Sequence, residues 1–204
     1  MAVGSSHEVR EEEAGVGSPR SIFAPKGRGN QIAAGIAATK SPWVLIAHAD
    51  AEFPPDFLGD LRRAIELHPR TTLFVFGQRF DRTGPGTLVV EALNEVRVIF
   101  GGVAFGDQVM VVRRSALKRA GGFPAQPLME DVEASLRLTA LGPVHYLGRE
   151  WTVSSQKWQN RYRARFFLVI KLVASYQLAR LRSPADAAAL SERLYLEYYP
   201  KSAD

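Results

Sequence analysis

The sequence contains no cysteine. Disulfides and thiolate metal sites are therefore excluded, and any bound cation must be held by carboxylate, imidazole, water or ligand oxygens. No apolar run reaches about 18 uninterrupted residues, so no membrane-spanning helix is expected. The N-terminus lacks a basic-then-apolar leader pattern, and the expectation is a soluble, cytoplasmic protein. No internal repeat is visible. One absence is local. Between Trp151 and Ala185 there is no acidic residue, while Lys157, Arg161, Arg163, Arg165, Lys171, Arg180 and Arg182 fall there. The net charge is only +5 over 204 residues, so this clustering, rather than the total, points to an anionic partner or surface.

What is present suffices for one domain with a core, since 46% of residues are hydrophobic. Residues 1–20 are rich in Gly, Ser and Glu without apolar period and read as weakly ordered. Residues 21–204 read as a single domain whose C-terminal part, about 159–199, is helical. Strands are expected at Ser21–Pro25, Trp43–Ala47, Thr72–Phe80 and Val109–Val112, with two short ones at Val144–Leu147 and Trp151–Ser154. Helices are expected at Gln31–Thr39, Pro54–Leu67, Leu88–Phe100, after Glu130, at Asn160–Arg182 and at Asp186–Tyr198. The run Trp43–Ala47 is continuously apolar and reads as a buried central strand, and the helix from Leu88 reads as mostly core-facing. Strands alternating with helices give an α/β protein with a mixed or mostly parallel sheet.

Four stretches carry chemistry, and each has a plain alternative. Gly27-Arg28-Gly29-Asn30-Gln31 opens a helix and can cradle phosphate, or be an ordinary loop. His48-Ala49-Asp50-Ala51-Glu52 ends a strand, where α/β sheets bind ligands; it offers a hard-cation site, or merely starts a loop. Gly106-Asp107-Gln108 brings polar groups beside glycines and can meet hydroxyls, or form a surface turn. Glu130-Asp131 starts a helix after Gly121-Gly122-Phe123-Pro124. Carboxylates there lie near unpaired N–H groups and the positive end of the macrodipole, which suits a base and equally suits a cap.

Taken in order, these motifs, together with Ser154-Ser155-Gln156-Lys157-Trp158, resemble a GT-A-fold glycosyltransferase of family two, and more closely the radical-SAM/selenodomain-associated branch. The resemblance covers the chain from about Pro25 onward. It implies a GT-A-like mixed sheet flanked by helices. It implies an inverting, metal-dependent transfer of sugar from a nucleotide-diphospho-sugar donor to a hydroxyl acceptor. Asp131 would be the general base, with Glu130 orienting it or binding acceptor. Asp50 would hold Mn²⁺ or Mg²⁺, with His48 in place of the usual first aspartate and Glu52 as the alternative second ligand. Gly27, Arg28, Gly29 and Gln31 would bind donor, and Gly106, Asp107 and Gln108 sugar or acceptor. Lys157 and Trp158 would close over diphosphate and sugar.

Family members begin with a β-α-β unit that binds the nucleobase. Met1–Arg20 does not match it, so the resemblance implies an N-terminally truncated chain. The glycine-rich motif also has Ala33 where the family usually has asparagine. The alternative function is a non-catalytic remnant that binds sugar or serves as a partner subunit. The basic C-terminal helix allows a lipid-linked acceptor and peripheral membrane contact, or packing on the sheet or on a second copy of the chain. Nucleic acid is not an expected partner, because Phe166–Ile170 is too apolar for a backbone-tracking surface.

Overall fold

The computed structural model describes residues 2–4, 21–48, 53–81, 84–106, 108–153 and 162–199. Two short parallel strands, β1 (Ala2–Gly4) and β2 (Ser21–Phe23), form a separate ribbon beside helix α1 (Arg28–Ala37). The main sheet has four strands, β3 (Trp43–Ile46), β4 (Leu73–Phe80), β5 (Met110–Arg113) and β6 (Val144–Val153), in the order β3-β5-β4-β6. β5 runs antiparallel to both neighbours and β4 parallel to β6, so the sheet is mixed, as expected for the GT-A-like class.

Helices cover both faces, and the period-2 alternation of the strands decides what each face meets. Leu73 and Val75 of β4, with Met110 and Val112 of β5, point into one cluster. That cluster is closed by Ile32 and Ile36 of α1, Val98 of α3 (Pro85–Gly101), Leu117 of α4 (Arg114–Arg119) and Leu138 of α5 (Glu130–Thr139). Phe74, Phe76, Val109 and Val111 point to the other face, where α2 (Phe57–Leu67) supplies Phe57, Leu61 and Ala64. Burying each large apolar side chain of this kind contributes about 1.5–3 kcal/mol.

Several elements depart from the sequence expectation. β3 is the end strand of the main sheet rather than a central one, and Leu45 is 37% exposed. An apolar run reports that a strand packs somewhere, not that it has neighbours on both sides. α3 buries only Val90, Asn94 and Val98, while Leu88, Val89, Leu93, Val96, Ile99 and Phe100 are exposed. With apolar residues nearly all round, periodicity could not choose its inner face. The two short strands near the C-terminus are one strand, β6, interrupted by a bulge opposite Val75–Gly77, with Gly148 in the left-handed region at φ 61°.

The chain ends in a helical hairpin, α6 (Tyr162–Arg182) and α7 (Pro184–Tyr198). Pro184 does not delay the last helix; it occupies its first turn, where a missing N–H costs nothing. The Ser183 hydroxyl caps it by accepting from the Asp186 N–H at 3.0 Å. Among the described residues no helix is long and apolar enough to cross a membrane. The hairpin packs through Leu172, Tyr176, Ala187 and Leu194 onto Val103, Met129 and Val132, so its buried face lies against the acidic loop.

Candidate active site

Three stretches distant in sequence meet at Arg28. Its guanidinium Nη1 pairs with Glu130 Oε1, its Nη2 donates to the Gly106 carbonyl at 2.8 Å, and its Nη1 lies 3.7 Å from Asp131 Oδ2. Glycines make the approach possible. Gly29 is buried, and a Cβ there would strike the carbonyl oxygen of Pro124 and lie 2.8 Å from that of Gln126. At Gly106 a Cβ would fall on the Arg28 guanidinium. The glycine-rich turn is thus seated directly on the Gly121–Glu133 loop. The Gln31 N–H closes the first turn of α1 on the Gly27 carbonyl at 3.0 Å.

The two carboxylates at the start of α5 sit in different surroundings. The Glu130 side chain is 4% exposed and that of Asp131 13%, so Asp131 is the more open of the pair. Both lie in the first helical turn, as the sequence indicates. Burial, and after it the negative charge of Asp131, pushes the Glu130 carboxyl up to about 7 from an ordinary 4.5, with Arg28 opposing. The physical reason is that one guanidinium faces two carboxylates, and a buried site resists the surplus negative charge. Because the folded value lies above the unfolded one, the native state holds this proton more tightly. The resulting stability is complete below pH 4.5 and is lost as pH rises through about 7. Melting temperatures followed from about pH 4 to about pH 8 should therefore fall more in the wild type than in Glu130→Gln. Parallel curves would refute the assignment.

Met129, immediately before Glu130, has φ 62°, the one non-glycine residue with positive φ among the described residues. Such a conformation is costly unless the surroundings impose it. Here they do. Met129 is buried against α6 and α7, and its carbonyl accepts from the Glu133 N–H at 2.9 Å. Further along the same helix start, Glu133 is buried, with Oε1 accepting from Arg137 Nε at 2.7 Å. Its Oε2 accepts from Arg180 Nε at 2.7 Å and from the Tyr176 hydroxyl at 3.0 Å. Burial works against the charge on Glu133, but these three donors outweigh it and hold the carboxyl below its ordinary range. Gln126 Nε2 donates to the Leu128 carbonyl at 2.9 Å and to the Tyr176 hydroxyl at 3.0 Å. From α7, Ser191 Oγ accepts from the Leu128 N–H at 3.1 Å and donates to the Leu128 carbonyl at 2.6 Å. The C-terminal hairpin therefore grips both ends of the segment that carries Glu130 and Asp131.

A second arginine braces the Gly106 loop. Arg97 donates to the Val103 carbonyl at 3.0 Å and to Gln108 Oε1 at 2.8 Å, and its guanidinium lies over the Phe105 ring at 3.3 Å from the centroid. Gln108, expected to meet a ligand hydroxyl, points inward; its Oε1 also accepts from the Phe105 N–H at 3.1 Å, and the residue is 2% exposed. Arg28, expected to meet phosphate, is engaged by the acidic pair. Two cations of the acid-free stretch have partners within the chain, Arg180 with Glu133 and Lys171 with Glu197. His48 is exposed just beyond β3. Asp50, Glu52, Asp107, Lys157 and Trp158 lie outside the described residues. Among the described residues no three His, Asp or Glu side chains gather as a metal site.

Sequence reasoning missed Met129, Tyr176, Arg180 and Ser191. Nothing local marks a left-handed methionine, and the other three work through contacts 43 to 63 residues away in the chain. The acid-free run is the sequence signal for Arg180, whose partner is the buried Glu133.

Comparison with known proteins adds the family. Residues 20–120, about half the chain, match the model of glycosyl transferase family 2. No curated protein matches. Among twelve matching chains of solved structures is the mannosyltransferase PcManGT from Pyrobaculum calidifontis, in complex with GDP-Man and Mn²⁺. The TM-score is 0.54 at 15% identity, over 88% of this chain and 51% of that one, so this chain spans about half its length. The mixed sheet with its flanking helices is the GT-A fold, and residues 20–120 match glycosyl transferase family 2.

Proposed function

We propose that this chain transfers a sugar, with inversion, from a nucleotide-diphospho-sugar to a hydroxyl acceptor, with Asp131 as the general base. The observation that carries this reading is the convergence of the glycine-rich turn, the Gly106 loop and the Glu130-Asp131 pair on Arg28. Of the two carboxylates, Asp131 is the more accessible, as a group that must touch an incoming hydroxyl needs to be. In the transfer, the acceptor oxygen forms a bond to the anomeric carbon as its proton passes to Asp131. The bond from that carbon to the diphosphate oxygen breaks, and the diphosphate leaves with the electron pair. Glu130 and Arg28 fix the helix start from which Asp131 reaches out.

In the sequence, His48, Asp50 and Glu52 follow β3, and the two carboxylates are donors suited to Mn²⁺ or Mg²⁺. His48, Asp50 and Glu52 would hold the cation, which when bound neutralises charge on the leaving diphosphate. PcManGT, with the same fold, is a mannosyltransferase seen with GDP-Man and Mn²⁺. We extend only the class of donor to this chain.

The test is calorimetric titration of the purified 204-residue chain with GDP and with UDP, with and without Mn²⁺. Binding of one of them should depend on Mn²⁺ and should weaken in Asp50→Ala. A folded chain that binds neither nucleotide would overturn the reading and leave a non-catalytic sugar-binding remnant.

A further inference from the structure

We propose that the tyrosine cluster at the C-terminal end of α7 (Tyr195, Tyr198 and Tyr199) is the subsite for a sugar ring of the acceptor. This rests on the transfer reading, and adds to it the place and chemistry of the second substrate.

The three rings form one group. Tyr199 lies 5.1 Å from Tyr195 and 4.7 Å from Tyr198, centroid to centroid. The group stands at the rim of the site. Tyr198 packs on the buried cluster that contains Met129, and Leu128 and Phe105 pack on the same cluster. Met129 precedes Glu130, and Phe105 precedes the carbonyl that Arg28 holds. Tyr199 is near enough to Glu130 and Arg28 to feel both charges. Burial first, then its two tyrosine neighbours and Glu130, raises its hydroxyl above the ordinary range, with Arg28 opposing. Despite this crowding Tyr199 is 53% exposed, so part of its side chain stays accessible.

Such a surface suits a saccharide better than a nucleobase. A base inserts flat between parallel planes or onto one broad plane. Here Tyr198 and Tyr199 meet at 88° and Tyr195 and Tyr199 at 49°, which leaves no parallel slot within the cluster. A pyranose has a C–H face that lies against an aromatic ring and an edge of hydroxyls that pair with phenolic oxygens. Tyrosine offers both an apolar body and a polar tip. One further feature fits. Tyr195, Tyr198 and Tyr199 ride on the helix whose Ser191 grips Leu128, so the platform and the carboxylates are fixed to each other.

The test uses saturation-transfer difference NMR on the full 204-residue chain, with methyl α-D-mannoside and methyl β-D-glucoside as probes. At least one glycoside should receive saturation on its ring C–H protons. The signal should persist when the chain is saturated with diamagnetic Mg²⁺ and whichever of GDP-mannose and UDP-glucose it binds. Tyr199→Ala should weaken the glycoside about fivefold, the range expected for one aromatic contact, while Tyr199→Phe keeps most of it. Because Tyr199 is half exposed, Tyr199→Ala should melt within a few degrees of wild type, and the melt is recorded with each titration. Three results would overturn the subsite: no saturation of either glycoside by a chain that binds nucleotide; displacement by the nucleotide-sugar, which would assign the platform to the donor; or unchanged binding in Tyr199→Ala. A chain that binds no nucleotide, yet loses the glycoside in Tyr199→Ala, would retain the sugar site and refute transfer, so the two failures are distinct.

Discussion

Asp131→Asn should cut sugar transfer by about 10²–10⁴-fold, the contribution of a positioned general base, while affinity for the nucleoside diphosphate stays within about twofold. Asparagine keeps the shape of the side chain, and the acceptance of the Val132 N–H at 2.7 Å can pass to the amide oxygen. What is lost is the ability to take a proton. One secondary effect has a definite sign. The charge of Asp131 is the second cause of the raised Glu130 carboxyl, after burial, so its removal should move the Glu130 value downward. The loss of stability with rising pH should then be smaller, and complete at lower pH, in Asp131→Asn than in the wild type. Steady-state transfer rates, paired with nucleotide titrations of the same preparation, decide the matter. If donor affinity falls as far as turnover, Asp131 contacts donor and is not the base.

Glu133→Ala carries the largest expected cost in stability, about 3–5 kcal/mol, the range seen when one partner of a buried charge cluster is removed. Alanine would leave Arg137 Nε, Arg180 Nε and the Tyr176 hydroxyl without their shared carboxylate, and Tyr176 is fully buried. For a chain of this size that corresponds to a fall in melting temperature of about 10 °C, and it is a large share of the total stability of a typical domain. The ionised carboxylate is what the network holds. Its folded value lies below the unfolded one, so its contribution is present at neutral pH and is lost as pH falls through the folded value. Chemical denaturation of Glu133→Ala and Glu133→Gln against wild type measures the effect. A loss below about 1 kcal/mol in Glu133→Ala would mean that solvent replaces the network easily and that the hairpin is held by apolar contact alone.

The difference between Glu133 and Asp131 shows what was legible in the sequence. All three acidic residues of the first turn of α5 are visible as a cluster at a helix start. The motif order singles out Glu130 and Asp131 as candidates for the chemistry. Nothing in the order says that Glu133 faces inward to α6 while Asp131 stays the more open of the two. That division depends on how the hairpin docks, through pairs as far apart as Leu128 and Ser191. The alternating strands β4 and β5 were readable because a period of two is a local property. The position of β3 at the end of the sheet was not, because neighbours are a property of the whole chain. The role of Arg28 falls between these cases. Its place in a glycine-rich turn was evident, but its counter-ion lies 102 residues later.

The two hydrogen bonds between Ser191 and Leu128 bear on how the protein is made. A ribosome delivers the acidic loop long before it delivers α7. Until that last helix emerges and docks, the left-handed Met129 has lost part of what imposes its backbone angle. The sheet can condense early around β4 and β5, but the segment that carries Glu130 and Asp131 is fixed only after α7 has emerged. A nascent chain stalled short of Ser191 would thus hold a formed scaffold and an unformed centre.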